Sequence, residues 1–152
     1  MWIGVGFAFI LLLLSLLAVA LAWHWWRTQF LAPLPSPFCD RDPQETAWRE
    51  RYGDGRLEIA DAILLLVCDA FCFNPEDRYK LQPDDQIMGV YRGCYPPGKK
   101  WPRADCMEME TLIFTFNKKF LTETSQWHAD ITLGQLVDLA VKQRQVKGGS
   151  TA

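Results

Sequence analysis

Seven side chains carry most of this 152-residue chain's scope for chemistry: Cys39, Cys68, Cys72, Cys94, Cys106, His24 and His128. The cysteine spacings fit no zinc pattern, and their odd number closes no complete disulfide set. Cys68 and Cys72 stand four apart inside an apolar run, where buried thiols are expected, and such usage fits a reducing compartment. His24 falls among tryptophans and His128 in a polar stretch, so neither joins a Ser-His-Asp set or a metal-ligand pattern. No phosphate-binding glycine loop occurs. The expectation is a protein that is not an enzyme and holds no metal. Cys106 is different. It lies at the head of an apolar stretch of helical period, so its sulfur belongs at a helix N-terminus. The helix dipole and Arg103 favour a thiolate there, while Asp105 and Glu108 oppose it. Direct acylation of this thiol is one expectation; an inert surface thiol is the other.

The segments that would hold these residues begin with Trp2 to Trp26, an apolar run without a charged side chain. About 20 apolar residues span a bilayer core, so the run is long enough to cross with some tilt. Trp2 at one end and Trp23, Trp25 and Trp26 at the other sit where headgroup anchors belong. Residues 1–27 are therefore expected to be a transmembrane anchor with the lipid bilayer as a partner. Arg27 and Arg41 follow the run and none precedes it, which places the C-terminal side in the cytoplasm of a single-pass inner-membrane protein. A cleaved leader with an exported, periplasmic domain is the competing reading, since Ala18-Val19-Ala20 and Ala20-Leu21-Ala22 offer small-residue cleavage sites. The missing N-terminal Lys or Arg weighs against it.

Residues 28–55 read as a Pro-rich linker: Pro33, Pro35, Pro37 and Pro43 suggest a semi-rigid spacer, with one short helical turn over 46–52. Arg56 to Phe73 is the first domain helix, with Ile59, Ile63, Leu66, Val67 and Ala70 at helical spacing and Asp61 and Asp69 off the stripe. Asn74-Pro75 ends it. A long loop to about Ala104 follows, with Ile87 as a core plug and a basic tip of Lys99, Lys100 and Arg103. Asp105 to Phe120 is the second helix, capped by Asp105 with Glu108 completing a capping box; Met109, Leu112, Ile113, Phe116 and Phe120 form its core stripe. Phe114 lies off that stripe. Thr132-Leu133-Gly134-Gln135 is a second capping-box pattern and opens a last helix through about Gln143. Residues 144–152 are expected to be a disordered tail. The fold class is all-α, a small helical bundle over residues 56–143 behind the anchor.

The order helix, long loop, capped helix, short irregular piece, helix resembles the acyl carrier proteins. Ala104-Asp105-Cys106-Met107-Glu108 running on to Phe120 is similar to the Asp-Ser-Leu opening of their second helix, and Ile131-Thr132 with Gln135 to the start of their last. The resemblance covers about residues 56–143. It implies a carrier-like bundle with Cys106 at the position of the serine that bears phosphopantetheine. A thiol would need a phosphorothiolate where the family forms a phosphodiester, so no phosphopantetheine is expected and no other cofactor is implied. The expected function is then a membrane-tethered, carrier-like interaction domain. It would dock an unidentified partner protein through Arg103, Asp105, Glu110 and Phe114 on the second helix. Acyl or thioester carriage by Cys106 is the alternative. The formal charge of −2 lacks the basic surplus that phosphate contacts need, so no nucleic acid is expected.

Overall fold

The computed structural model describes residues 12–25, 31–96 and 107–148. They fall in two units, Met1–Leu31 and Ala32–Ala152. In the first, residues 12–25 form helix α1. Its large apolar side chains, from Leu12 to Trp25, are all between 51% and 67% exposed, so it has no inner face. Among the described residues no helix is long and apolar enough to cross a membrane. The rest of the apolar run, up to Leu11 and at Trp26, lies outside them.

The second unit is helical throughout its described residues. Helices α2 (Glu45–Tyr52), α3 (Asp54–Ala70), α4 (Ile87–Cys94), α5 (Glu108–Phe120) and α6 (Leu133–Gly148) are joined by short 3-10 turns at Phe38–Asp40, Pro75–Lys80 and Thr124–Gln126. Two isolated β-bridges, Ala32 with Phe73 and Gln86 with Thr132, are its extended pairings. Helix α3 is the centre: α5 and α6 pack on it, and so do α2 and the turn Pro75–Lys80. This explains why its buried set is wider than one stripe. Ile59, Ile63 and Val67 are buried as their spacing predicts, and Ala60, Leu64 and Cys68 are buried beside them.

The stretch 28–55 differs most from its sequence reading. From Ala32 onward it is part of the bundle, not a spacer. Ala32, Leu34, Phe38, Trp48 and Tyr52 are all core residues. The Trp48 indole N–H donates to the Leu81 carbonyl at 2.8 Å, and Tyr52 donates its hydroxyl to the Gly134 carbonyl at 2.8 Å. Ala32 is tied on both sides of Phe73, donating to the Cys72 carbonyl at 2.7 Å and accepting from the Asn74 N–H at 3.0 Å. The prolines shape this segment without keeping it away from α3. Gly53 separates α2 from α3: its φ of 65° lets it close α2, with its N–H on the Arg49 carbonyl at 2.8 Å, and open α3 at once.

The long loop after α3 is also more ordered than its composition suggests. Pro75–Lys80 is a 3-10 turn capped by the Asn74 side chain, which accepts from Glu76 N–H. Ile87 is buried as expected, but it opens a helix, α4, with Val90 and Cys94 on the same inner face. Asp61, off the predicted stripe, receives hydrogen bonds from Arg78 Nε (2.5 Å) and the Tyr79 hydroxyl (2.8 Å) and so pins that turn to α3. Asp85 fastens the next one. It accepts from Arg41 at 2.7 and 2.9 Å and from Gln82 N–H at 2.6 Å, while its carbonyl receives Leu133 N–H. At α6 the capping box forms as read: Gln135 N–H donates to Thr132 Oγ1 and Thr132 N–H to Gln135 Oε1. The helix runs on to Gly148, through the first half of the stretch read as a tail.

Burial pushes the Cys68 thiol from an ordinary 9.0 up to about 12 and does the same for Cys94, where Glu108 adds repulsion. Burial, with Asp138 nearby, lifts Tyr52 from 10.0 to about 12. Unfolded, these groups would ionise nearer their ordinary values. Between about pH 9 and 12 the folded chain therefore holds more protons than the unfolded one, and its stability is full below that window and falls as pH rises through it. Thermal melts should drop progressively above pH ~9, and alkylation of the native chain should label exposed Cys72 while sparing Cys68 and Cys94. Rapid labelling of Cys68 under native conditions would show that the core is not closed.

Candidate partner-binding face on α5

Helix α5 has two faces of different chemistry. Leu112, Phe116 and Phe120 are buried at three- and four-residue spacing, with Met109 and Ile113 partly buried at the edges. Phe116 meets Phe120 at 4.9 Å and the edge of Trp127 at 5.4 Å. Asn117 secures the chain beyond the helix, accepting from the Thr122 hydroxyl and the Trp127 indole and donating to Thr124. The helix ends at Leu121, held at φ 58°. Lys118 and Lys119 occupy the last turn and Glu108 and Glu110 the first, the arrangement that the helix dipole favours.

The outer face is unlike an ordinary solvated surface. Phe114 is 68% exposed, with Met107 at 57% before the helix and Leu121 at 53% after it. These three are spaced seven apart, two turns each, so they lie in one line about 21 Å long. Thr111 and the charged Glu110 and Lys118 are exposed alongside them. Large apolar groups thus stand exposed at both ends and the middle of one helix.

Of the predicted partner-binding residues, Glu110 and Phe114 are brought together on this face, one turn apart. Arg103, Asp105 and Cys106, the position matched to the carrier serine, lie outside the described residues. The Tyr91 ring packs on Phe71 and Tyr95. The N-cap read at Asp105 lies outside the described residues, and α5 begins at Glu108. Its N-cap is Met107, without a side-chain cap bond. Glu108 is 6% exposed, and its Oε2 accepts the Tyr95 hydroxyl at 2.7 Å. Sequence reasoning passed over Met107 and Leu121, although their seven-residue spacing from Phe114 was a readable signal.

His128 lies elsewhere, beside an open groove of about 270 Å³ against α6 whose lining includes Gln126, Asp138 and Lys142. Gln126 Oε1 is buried there without a hydrogen-bond partner. Among the described residues no three His, Cys, Asp or Glu side chains could hold a metal ion. Comparison with family models, with characterised proteins and with solved structures gave no match.

Proposed function

We propose that this chain is a membrane-tethered, non-enzymatic interaction domain that receives a protein partner on the outer face of α5. The observation that carries the reading is Phe114, 68% exposed at the middle of an apolar line from Met107 to Leu121. The tether is the apolar run 2–26. A helix that exposes leucine and tryptophan all round is at odds with water and at home in lipid, and α1 is such a helix. Arg27 directs the C-terminal unit to the cytoplasmic side of an inner membrane. Arg41 adds little to that preference, because its charge is held by Asp85. The order α3, turn and α4, α5, 3-10 turn, α6 supports the likeness to a carrier bundle, one whose site bears a thiol in place of the serine.

Two results test this. Phe114→Ala should change folding stability by no more than about 0.5 kcal/mol, as a surface truncation does. A photo-crosslinking residue at 114 should trap a protein in membranes, whereas one at Asp138, exposed on α6, should not. Equal trapping at both positions, or none at 114, overturns the reading. The carrier likeness has its own test. Incubated with a broad-specificity phosphopantetheinyl transferase, Cys106→Ser should gain the phosphopantetheine mass and the natural chain should not. No gain in the variant would remove the carrier likeness and leave the docking face standing.

A further inference from the structure

Resting on the reading of α5 as a docking face, we infer that one occupant of that face is a second copy of this chain, paired antiparallel through α5. The argument is the symmetry of the exposed residues about Phe114, which is the midpoint of the helix Glu108–Phe120. Seven positions before it stands Met107 and seven after it Leu121, both more than half exposed. Four positions before it stands Glu110 and four after it Lys118, both exposed. Neither charge makes an ion pair or hydrogen bond among the described residues.

A two-fold axis through Phe114 therefore lays the face on itself. Phe114 meets Phe114 of the second copy at the centre, Met107 meets Leu121 at each end, and each Glu110 comes within side-chain reach of the opposite Lys118. A parallel pairing would instead set Glu110 beside Glu110 and Lys118 beside Lys118, so charge selects the antiparallel form. The two helix dipoles then also run in opposite senses, which is favourable. Such an interface is isologous and closes at two copies. One helix face is small for a protein interface, so the dimer is a weak one that forms and dissociates with concentration.

The test uses the full chain in density-matched detergent, with association followed by sedimentation equilibrium. Glu110→Lys and Lys118→Glu should each raise the dissociation constant roughly tenfold, since two attractive contacts become repulsive. Phe114→Ala should raise it by about thirtyfold or more. The decisive result is rescue. An equimolar mixture of Glu110→Lys and Lys118→Glu chains should dimerise at least as well as the natural chain, because every cross-pair is then opposite in sign, and the double variant should pair with itself. All of these positions are on the surface, and circular dichroism will confirm that each variant folds. A chain that stays monomeric, or a dimer indifferent to both charge reversals and to the mixture, overturns the proposal. If the chain is monomeric while a crosslinker at 114 still traps another protein, self-pairing falls and the docking face stands; if both fail, both fall.

Discussion

Trp48→Ala should destabilise the fold by about 3–5 kcal/mol, the usual cost of deleting a buried aromatic ring. Domains of this size are stable by about 5–15 kcal/mol, so the variant should unfold at a visibly lower urea concentration. The ring is 0% exposed and stacks on Tyr52 at 5.9 Å. Its truncation leaves a cavity between α2 and α3 and strips the Leu81 carbonyl of its donor. The experiment also judges the segment as a whole. A tryptophan in a spacer would cost no more than about 0.5 kcal/mol when removed. A urea midpoint unchanged by Trp48→Ala would mean that residues 32–52 are not part of the core.

Gly134→Ala should be destabilising even though it places a better helix former in α6. A methyl group at 134 would come within 2.9 Å of the Pro83 carbonyl oxygen, 2.9 Å of the Tyr52 hydroxyl and 3.0 Å of the Arg51 guanidinium carbon. The arginine can swing away. The Pro83 carbonyl cannot, because it accepts the Gly134 N–H at 2.7 Å, and the Tyr52 hydroxyl is bonded to the Gly134 carbonyl. Overpacking of this kind costs about 1–3 kcal/mol and the helix propensity returns at most about 1, so a net loss of about 1–2 kcal/mol is expected. Gly55→Ala is the matched control. It lies in the first turn of α3 with nothing within 4 Å of the added carbon, and it should gain about 0.5–1 kcal/mol. Thermal melts of the two variants should therefore move in opposite directions. A Gly134→Ala chain as stable as the Gly55→Ala chain would show that the Pro83 turn does not close on α6.

The legible parts of this fold were those in which local pattern and tertiary role agree. The Thr132–Gln135 box works by contacts within four residues, and it forms as written. The stripe of α5 faces inward, onto α3, with Leu112, Phe116 and Phe120 buried. Where burial depends on distant partners, pattern was a poor guide. Leu34, Phe38 and Trp48 have no common period, and partners come from far along the chain: Gly89 of α4 beside Phe38, and the Leu81 carbonyl for Trp48. Helix α4 carries Ile87, Val90 and Cys94 at helical spacing, yet Gly89 and Gly93 make it read as a loop. The second glycine has a tertiary reason: a side chain there would press within 3.0 Å of the Pro35 ring. The burial of Glu108 has the same cause, since the Tyr95 hydroxyl that it accepts lies on a separate element. At the candidate face, Phe114 could be found as the aromatic off the stripe. The apolar ends Met107 and Leu121 flank the helix and are not counted when only its interior is read.

The bridge at Ala32 has a mechanical consequence. A tug on the N-terminal segment is passed at that residue to the pair of bonds to Cys72 and Asn74, which bear load together. Behind this clasp the chain is gripped again at Leu34 and Phe38, and then by the Trp48 ring. Force arriving from that end is thus taken up in stages by the segment that looks most like a leash. The load from that end is shared between the clasp beyond α3 and buried side chains of the segment itself.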